Sequence, residues 1–98
     1  MNQKQWPATI DEAVGVVLAA LSDEDKTIIA AMSESDLIGQ HMGLGRWIRN
    51  HLGLWQGNAP LMEDARQLDP SIRHPDSVST MITEAVWERL REMVPKVH

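Results

Sequence analysis

Three helix-start signals crowd the first 36 residues, and they commit the chain to short helices joined by tight turns. Thr9 and Glu12 form a Thr-x-x-Glu capping box, in which the hydroxyl accepts from the third helical amide and the carboxylate reaches back. The residues that follow, Ile10, Ala13, Val14, Val17, Leu18 and Leu21, keep the three-and-four spacing of one helical face. Ser22 then interrupts the apolar run. It can cap a second helix whose first turn, Asp23, Glu24 and Asp25, suits the positive end of the helix dipole. Ser33 repeats the device before Glu34 and Asp36, eleven residues later.

The remaining elements also read as helices. A third is expected from Glu34 to Leu52, closed by Gly53 as a left-handed C-cap. Its apolar stripe is Leu37, His41, Leu44, Ile48 and Leu52, with Gly39, Gly43, Arg46 and Asn50 near the opposite side. Glycine inside a helix costs about 1 kcal/mol relative to alanine. Gly39, Gly43 and Gly45 therefore imply either a break near Gly43 or close packing on that face. A Gly57-Asn58 turn leads to Pro60 in the first turn of a short helix reaching about Leu68, ended by Asp69-Pro70. The last helix is expected from Asp76 or Ser77 to Met93, with the stripe Val78, Met81, Ile82, Ala85, Val86, Leu90 and Met93, and Pro95 closing it. No stretch alternates as a strand does, and Tyr and Phe are absent. The expected fold is all-α, a compact bundle of about five helices, in a single domain over 1–98 with an ordered core about 6–94.

Composition limits the function. Hydrophobic residues make up 43% of the chain and charged residues 23%, ordinary globular usage. With no Cys, disulfides and thiolate metal sites are excluded. No apolar run is long enough to span a bilayer, and no signal-peptide pattern opens the chain, so a soluble cytoplasmic protein is expected, without membrane association. The net charge of −5 argues against broad nucleic-acid binding, which rests on phosphate neutralisation by Lys and Arg.

That charge is unevenly spread. Residues 1–36 hold seven acids and two bases, whereas no acid occurs between Asp36 and Glu63. Inside this acid-free stretch, residues 43–55 read G-L-G-R-W-I-R-N-H-L-G-L-W. Arg46, Arg49 and Asn50 could form an anion site, since guanidinium forks and an amide match phosphate or carboxylate. Arg46 and Asn50 lie one turn apart, and Arg49 points about 60° away from Arg46, towards a different partner. Trp55, just past the helix end, either seals it or forms part of an exposed patch. Trp6, before Pro7, can dock the N-terminal arm, while Trp47 and Trp87 are expected in the core. His74-Pro75-Asp76 either brings a His–Asp pair beside Arg49 or starts the last helix, with Asp76 or Ser77 as its cap.

Other chemistry has little support. No His-Glu-x-x-His or similar spacing exists, and His41 reads as a core histidine, so no metal and no cofactor are expected. Ser33, Ser35, Ser77 and Ser79 are explained as helix-start residues, and no Gly-x-Ser-x-Gly elbow occurs. Gly43-Leu44-Gly45 lacks the third glycine of a dinucleotide fingerprint.

Gly43, Leu44, Gly45, Ile48, Arg49, Asn50, Gly53 and Leu54, followed by His74, Pro75 and Asp76, resemble the core of a family of small all-helical bacterial domains of unknown function. Its members share a Gly-Leu-Gly stretch, an Ile-Arg-Asn and a downstream His-Pro-Asp-Asp. The resemblance covers roughly residues 6–90 and departs at Ser77, where relatives carry a second Asp. It implies a fold but no activity. Two functions follow from the residues. One is a protein-interaction or regulatory module presenting Trp55 and Arg46 to a protein partner. The other is a small-anion or nucleotide-binding protein, catalytic or not, built on Arg49, Asn50 and His74 with Trp55 buried. The first is favoured, and an enzyme is not expected.

Overall fold

The computed structural model describes residues 6–41 and 43–93. Five α-helices occur in the order α1 (Ile10–Ala20), α2 (Asp23–Ala30), α3 (Leu44–His51), α4 (Ala59–Leu68) and α5 (Pro75–Met93), with a 3-10 helix, Ser35–His41, between α2 and α3. No strand occurs among the described residues. The fold is an all-α bundle. The expected core role of the His41 side chain and the closure by Pro95 fall outside the described residues.

The first two helices start where their caps dictate. Thr9 Oγ1 accepts from the Glu12 amide at 3.0 Å, and Glu12 Oε1 accepts from the Ala8 amide at 2.9 Å, one residue before the cap itself. Asp64 of α4 accepts from the Ile10 amide at 2.8 Å, which ties α4 to the start of α1. Ser22 Oγ caps α2 through the Asp25 amide at 3.0 Å.

Ser33 and Asp36 cap one another reciprocally, each side chain accepting from the other's amide at 3.3 and 3.1 Å. What they open is the 3-10 helix and not the long helix expected from Glu34 to Leu52. The 3-10 helix ends at His41 and α3 begins only at Leu44, with Gly43 before it at φ −98°, ψ −91°. A Cβ on Gly39 would meet nothing within 4 Å, so no close packing explains that glycine. The break is the outcome the glycines favour, because each raises the entropy lost on forming helix.

α3 ends as expected: Gly53 follows Leu52 with φ +76°. Its missing Cβ has a second use, since the Trp6 ring occupies the space a side chain would need. Trp6 thus docks the N-terminal arm on the end of α3. The turn continues through a buried Leu54 and Gly57 (φ +89°) to Asn58, which is buried and caps α4. Asn58 donates to the carbonyls of Pro7 and Leu52, both at 2.9 Å, and accepts from the Leu61 amide at 3.3 Å. One side chain therefore joins the arm, the end of α3 and the start of α4. Asn58→Ala is expected to lower unfolding stability by about 2 kcal/mol, since three buried partners lose their bond; urea denaturation measures this, and a loss under about 0.5 kcal/mol would contradict the joint.

After α4, Asp69 accepts from the Ser71 hydroxyl at 2.7 Å and amide at 3.1 Å. These bonds favour the ionised carboxylate and hold its pKa below the ordinary range.

The cap of α5 differs from expectation. His74, and neither Asp76 nor Ser77, fills it: its carbonyl accepts from the Ser77 and Val78 amides, and its Nδ1 accepts from the Asp76 amide at 3.1 Å. Pro75 then begins the helix, and Asp76 lies in its first turn.

α5 is the element around which the others assemble; it touches α1, α2, α3, α4 and the 3-10 helix, and packs most extensively on α3. Its buried face is Val78, Ser79, Ile82, Thr83, Val86, Trp87 and Leu90. Met93, expected in the stripe, is 59% exposed. Ser79 and Thr83 enter the core because each hydroxyl donates back to a carbonyl of its own helix, at 2.9 and 2.8 Å. Trp87 is buried as expected, and its Nε1 donates to the Met32 carbonyl at 2.9 Å.

Candidate functional site

Where the end of α3 meets the start of α5, four of the six side chains expected at a site come together. Arg49, near the C-terminus of α3, turns inward and is 6% exposed. Its Nη1 donates to Ser79 Oγ at 3.0 Å, and its Nε lies 3.3 Å from Asp76 Oδ1. Asp76 belongs to the first turn of α5, where the helix dipole also favours a carboxylate. The pair is thus split between interior and surface: a buried guanidinium meets an acid that stays half-exposed.

His74 and Trp55 complete the cluster from outside. His74 Nδ1 lies 3.7 Å from Asp76 Oδ2 and accepts the Asp76 amide, which requires the ring proton on Nε2. Trp55 meets the His74 ring edge-on, with centroids 6.3 Å apart and planes at 83°. The Arg49 guanidinium carbon lies 5.9 Å from the Trp55 ring centroid, within cation–π range. Trp55 is nevertheless 52% exposed; Leu54, its neighbour, is the residue that seals the helix end.

Arg46 and Asn50 do not join this cluster. Both are exposed on the outer face of α3, one turn apart, and among the described residues neither side chain makes a hydrogen bond or ion pair. His51 is exposed too. Its ring stacks on Trp47 at 4.3 Å and its Nδ1 lies 2.9 Å from the Trp47 carbonyl. Trp47 itself is only half-buried.

Ser79 is the member that sequence reasoning missed, having been assigned to helix initiation. A signal existed: Ser79, Ile82, Thr83, Val86 and Leu90 share one helical face, so Ser79 points with the core and not with the cap. Its hydroxyl both accepts from Arg49 and donates to the Asp76 carbonyl, which commits it to structure and removes it as a nucleophile. Among the described residues no three His, Cys, Asp or Glu side chains gather in a way that could hold a metal ion, and no helix is long and apolar enough to cross a membrane.

Comparison with known proteins adds a family and no activity. No curated protein and no solved structure matches the chain. The contacts just described run from Trp6, lodged against Gly53, to Leu90, the last buried residue of α5. The same span, residues 6–90, is matched by the model of a family described as a domain of unknown function, DUF6794, and the chain belongs to that family.

Proposed function

We propose that this protein is a protein-interaction module, serving a regulatory or assembly role, whose contact surface is centred on Trp55. One observation carries the reading: the indole is 52% exposed yet braced, with the Arg49 guanidinium to one side and the His74 ring edge to another. A large apolar side chain already held in place loses little entropy on binding, which is how Trp comes to dominate interface energetics. His74 and Asp76 then form a polar rim, while Arg46 and Asn50 stand apart from it on the outer face of α3.

The alternative, a small-anion or nucleotide site using Arg49, Asn50 and His74, is less well supported. Arg49 is buried against Asp76 and Ser79, so an anion would have to compete with a carboxylate already beside it. Asn50 and His74 are exposed on different elements.

Trp55→Ala should lower unfolding stability by no more than about 1 kcal/mol, the worth of an exposed cation–π contact. The same variant, used as bait beside wild type in quantitative capture from source-cell lysate, should lose a stoichiometric partner that wild type retains. Identical capture profiles would sink the reading. So would a concentration-dependent thermal shift with phosphate or nucleotide that Asn50→Ala removes and Trp55→Ala does not.

A further inference from the structure

Opposite in character to the Trp55 patch, an apolar groove of about 390 Å³ lies between α1, α2 and the beginning of α3. Val17 of α1, Leu21 directly after that helix, Ile28 of α2 and Trp47 of α3 form its walls, and Gly43 leaves one end low. The apolar surface does not stop at the rim. Ile28 is 51% exposed, and Val16, 40% exposed, lies one helical turn before Ala20 of the lining. A trough between two helices that continues along one of them has the form that accepts the apolar ridge of a third helix. Its volume falls near the lower end of the roughly 300–1,000 Å³ range of ordinary binding pockets.

Charge decides what kind of helix. Among the described residues of the lining Asp25 is the single charged one, and none is basic. Asp23 and Glu24 share its helical turn, all three are exposed, and among the described residues none of them is in an ion pair. Ser22 caps this turn with its hydroxyl, so the carboxylates themselves remain free for another partner. Lys26, the residue after Asp25, is half-buried, and residues 1–36 as a whole carry seven acids against two bases.

From this we infer that the α1–α2–α3 groove docks a basic amphipathic helix of a partner protein. Leu-sized side chains of that helix fill the trough between Leu21, Ile28 and Trp47, and its Lys or Arg flank lies over the first turn of α2. A second copy of this chain matches the groove less well than a basic partner, because its net charge is −5 and Arg89, 3.1 Å from Asp11, is already paired. The inference goes beyond the Trp55 reading and stands independently of it, because Trp47 and not Trp55 lines the groove.

Two synthetic amphipathic peptides of about 18 residues, roughly five helical turns, provide the test. One carries Leu and Lys, the other Leu and Glu at the same spacing, and each is titrated into the labelled full chain with amide and indole NMR as readout. The Leu/Lys peptide should shift Val17, Ala20, Ile28, Gly43 and the Trp47 indole, and should bind at least about tenfold more tightly than its Leu/Glu counterpart. Ile28→Gln, at an exposed position, should weaken it about tenfold, and Asp25→Asn several-fold, while Trp55→Ala changes nothing. Shifts scattered over the acidic surface with the groove unmoved would overturn the inference, as would equal affinity for the two peptides. Full binding by Ile28→Gln would do the same. So would peptide-free, dilution-dependent shifts at these residues, which would make a second copy the occupant, or decanoate filling the groove where neither peptide enters.

Discussion

Arg49→Met should lower the unfolding free energy by about 3 kcal/mol, between the cost of losing a hydrogen bond to a charged group and that of breaking a buried ion pair. The value should stay below the upper end of that range because Asp76 is half-exposed and can rehydrate once its partner is gone. Met retains much of the aliphatic stem, so the loss reports the polar bridge and not a cavity. The bridge matters because it spans the most extensive helix contact in the bundle, α3 on α5, at the point where α5 begins. Arg49→Lys should recover less than half of the loss, since an ammonium cannot reproduce the planar fork that reaches both Ser79 and Asp76. Urea denaturation followed by circular dichroism reads both variants. A methionine variant as stable as wild type would show that the bridge sets specificity alone, as some buried ionic groups do.

Gly53→Ala should prove comparably damaging, again near 3 kcal/mol, for two separable reasons. A residue with a Cβ at φ +76° is disfavoured by about 1–2 kcal/mol, and the new methyl must also displace the Trp6 ring. A double-mutant cycle separates the two contributions. In a Trp6→Ala background the Gly53→Ala penalty should fall to about 1 kcal/mol, leaving a coupling of about 2 kcal/mol between positions 6 and 53. An equal penalty in both backgrounds would show that the ring yields freely and that backbone conformation accounts for everything.

What could be read from the residues was local. Thr9, Ser22 and Ser33 were legible as starts because a cap is written within four residues, and Gly53 as a stop for the same reason. The bundle followed from helical spacing alone, and so did the burial of Ile48, Val78, Ile82 and Val86. At Gly43 both outcomes, break or close packing, were consistent with the composition; the separation of the 3-10 helix, ending at His41, from α3, beginning at Leu44, decides for the break.

What could not be read depends on partners far away in the chain. Trp6 on Gly53, Asn58 on the Pro7 carbonyl and Ser79 under Arg49 join residues 47, 51 and 30 positions apart, and no local pattern announces them. His74 is a different failure. Asp and Ser are the usual caps, and an imidazole took the position because the fold holds its ring over the first turn of α5. The candidate site was half legible for a related reason. Arg49, Trp55, His74 and Asp76 were singled out by type and meet in space, whereas Arg46 and Asn50, chosen on the same grounds, lie on the wrong face of α3 to join them.

The arm formed by Trp6 and Pro7 acts on a distant part of the molecule. Its indole fills the vacancy at Gly53 and its carbonyl holds Asn58, so the arm clamps both ends of the loop that presents Trp55. Clipping those two residues, or tethering a bulky fusion directly to them, would release that loop while the caps and the central helix stayed intact. A shortened version could then look well folded by spectroscopy and still have lost the shape of its outward-facing indole.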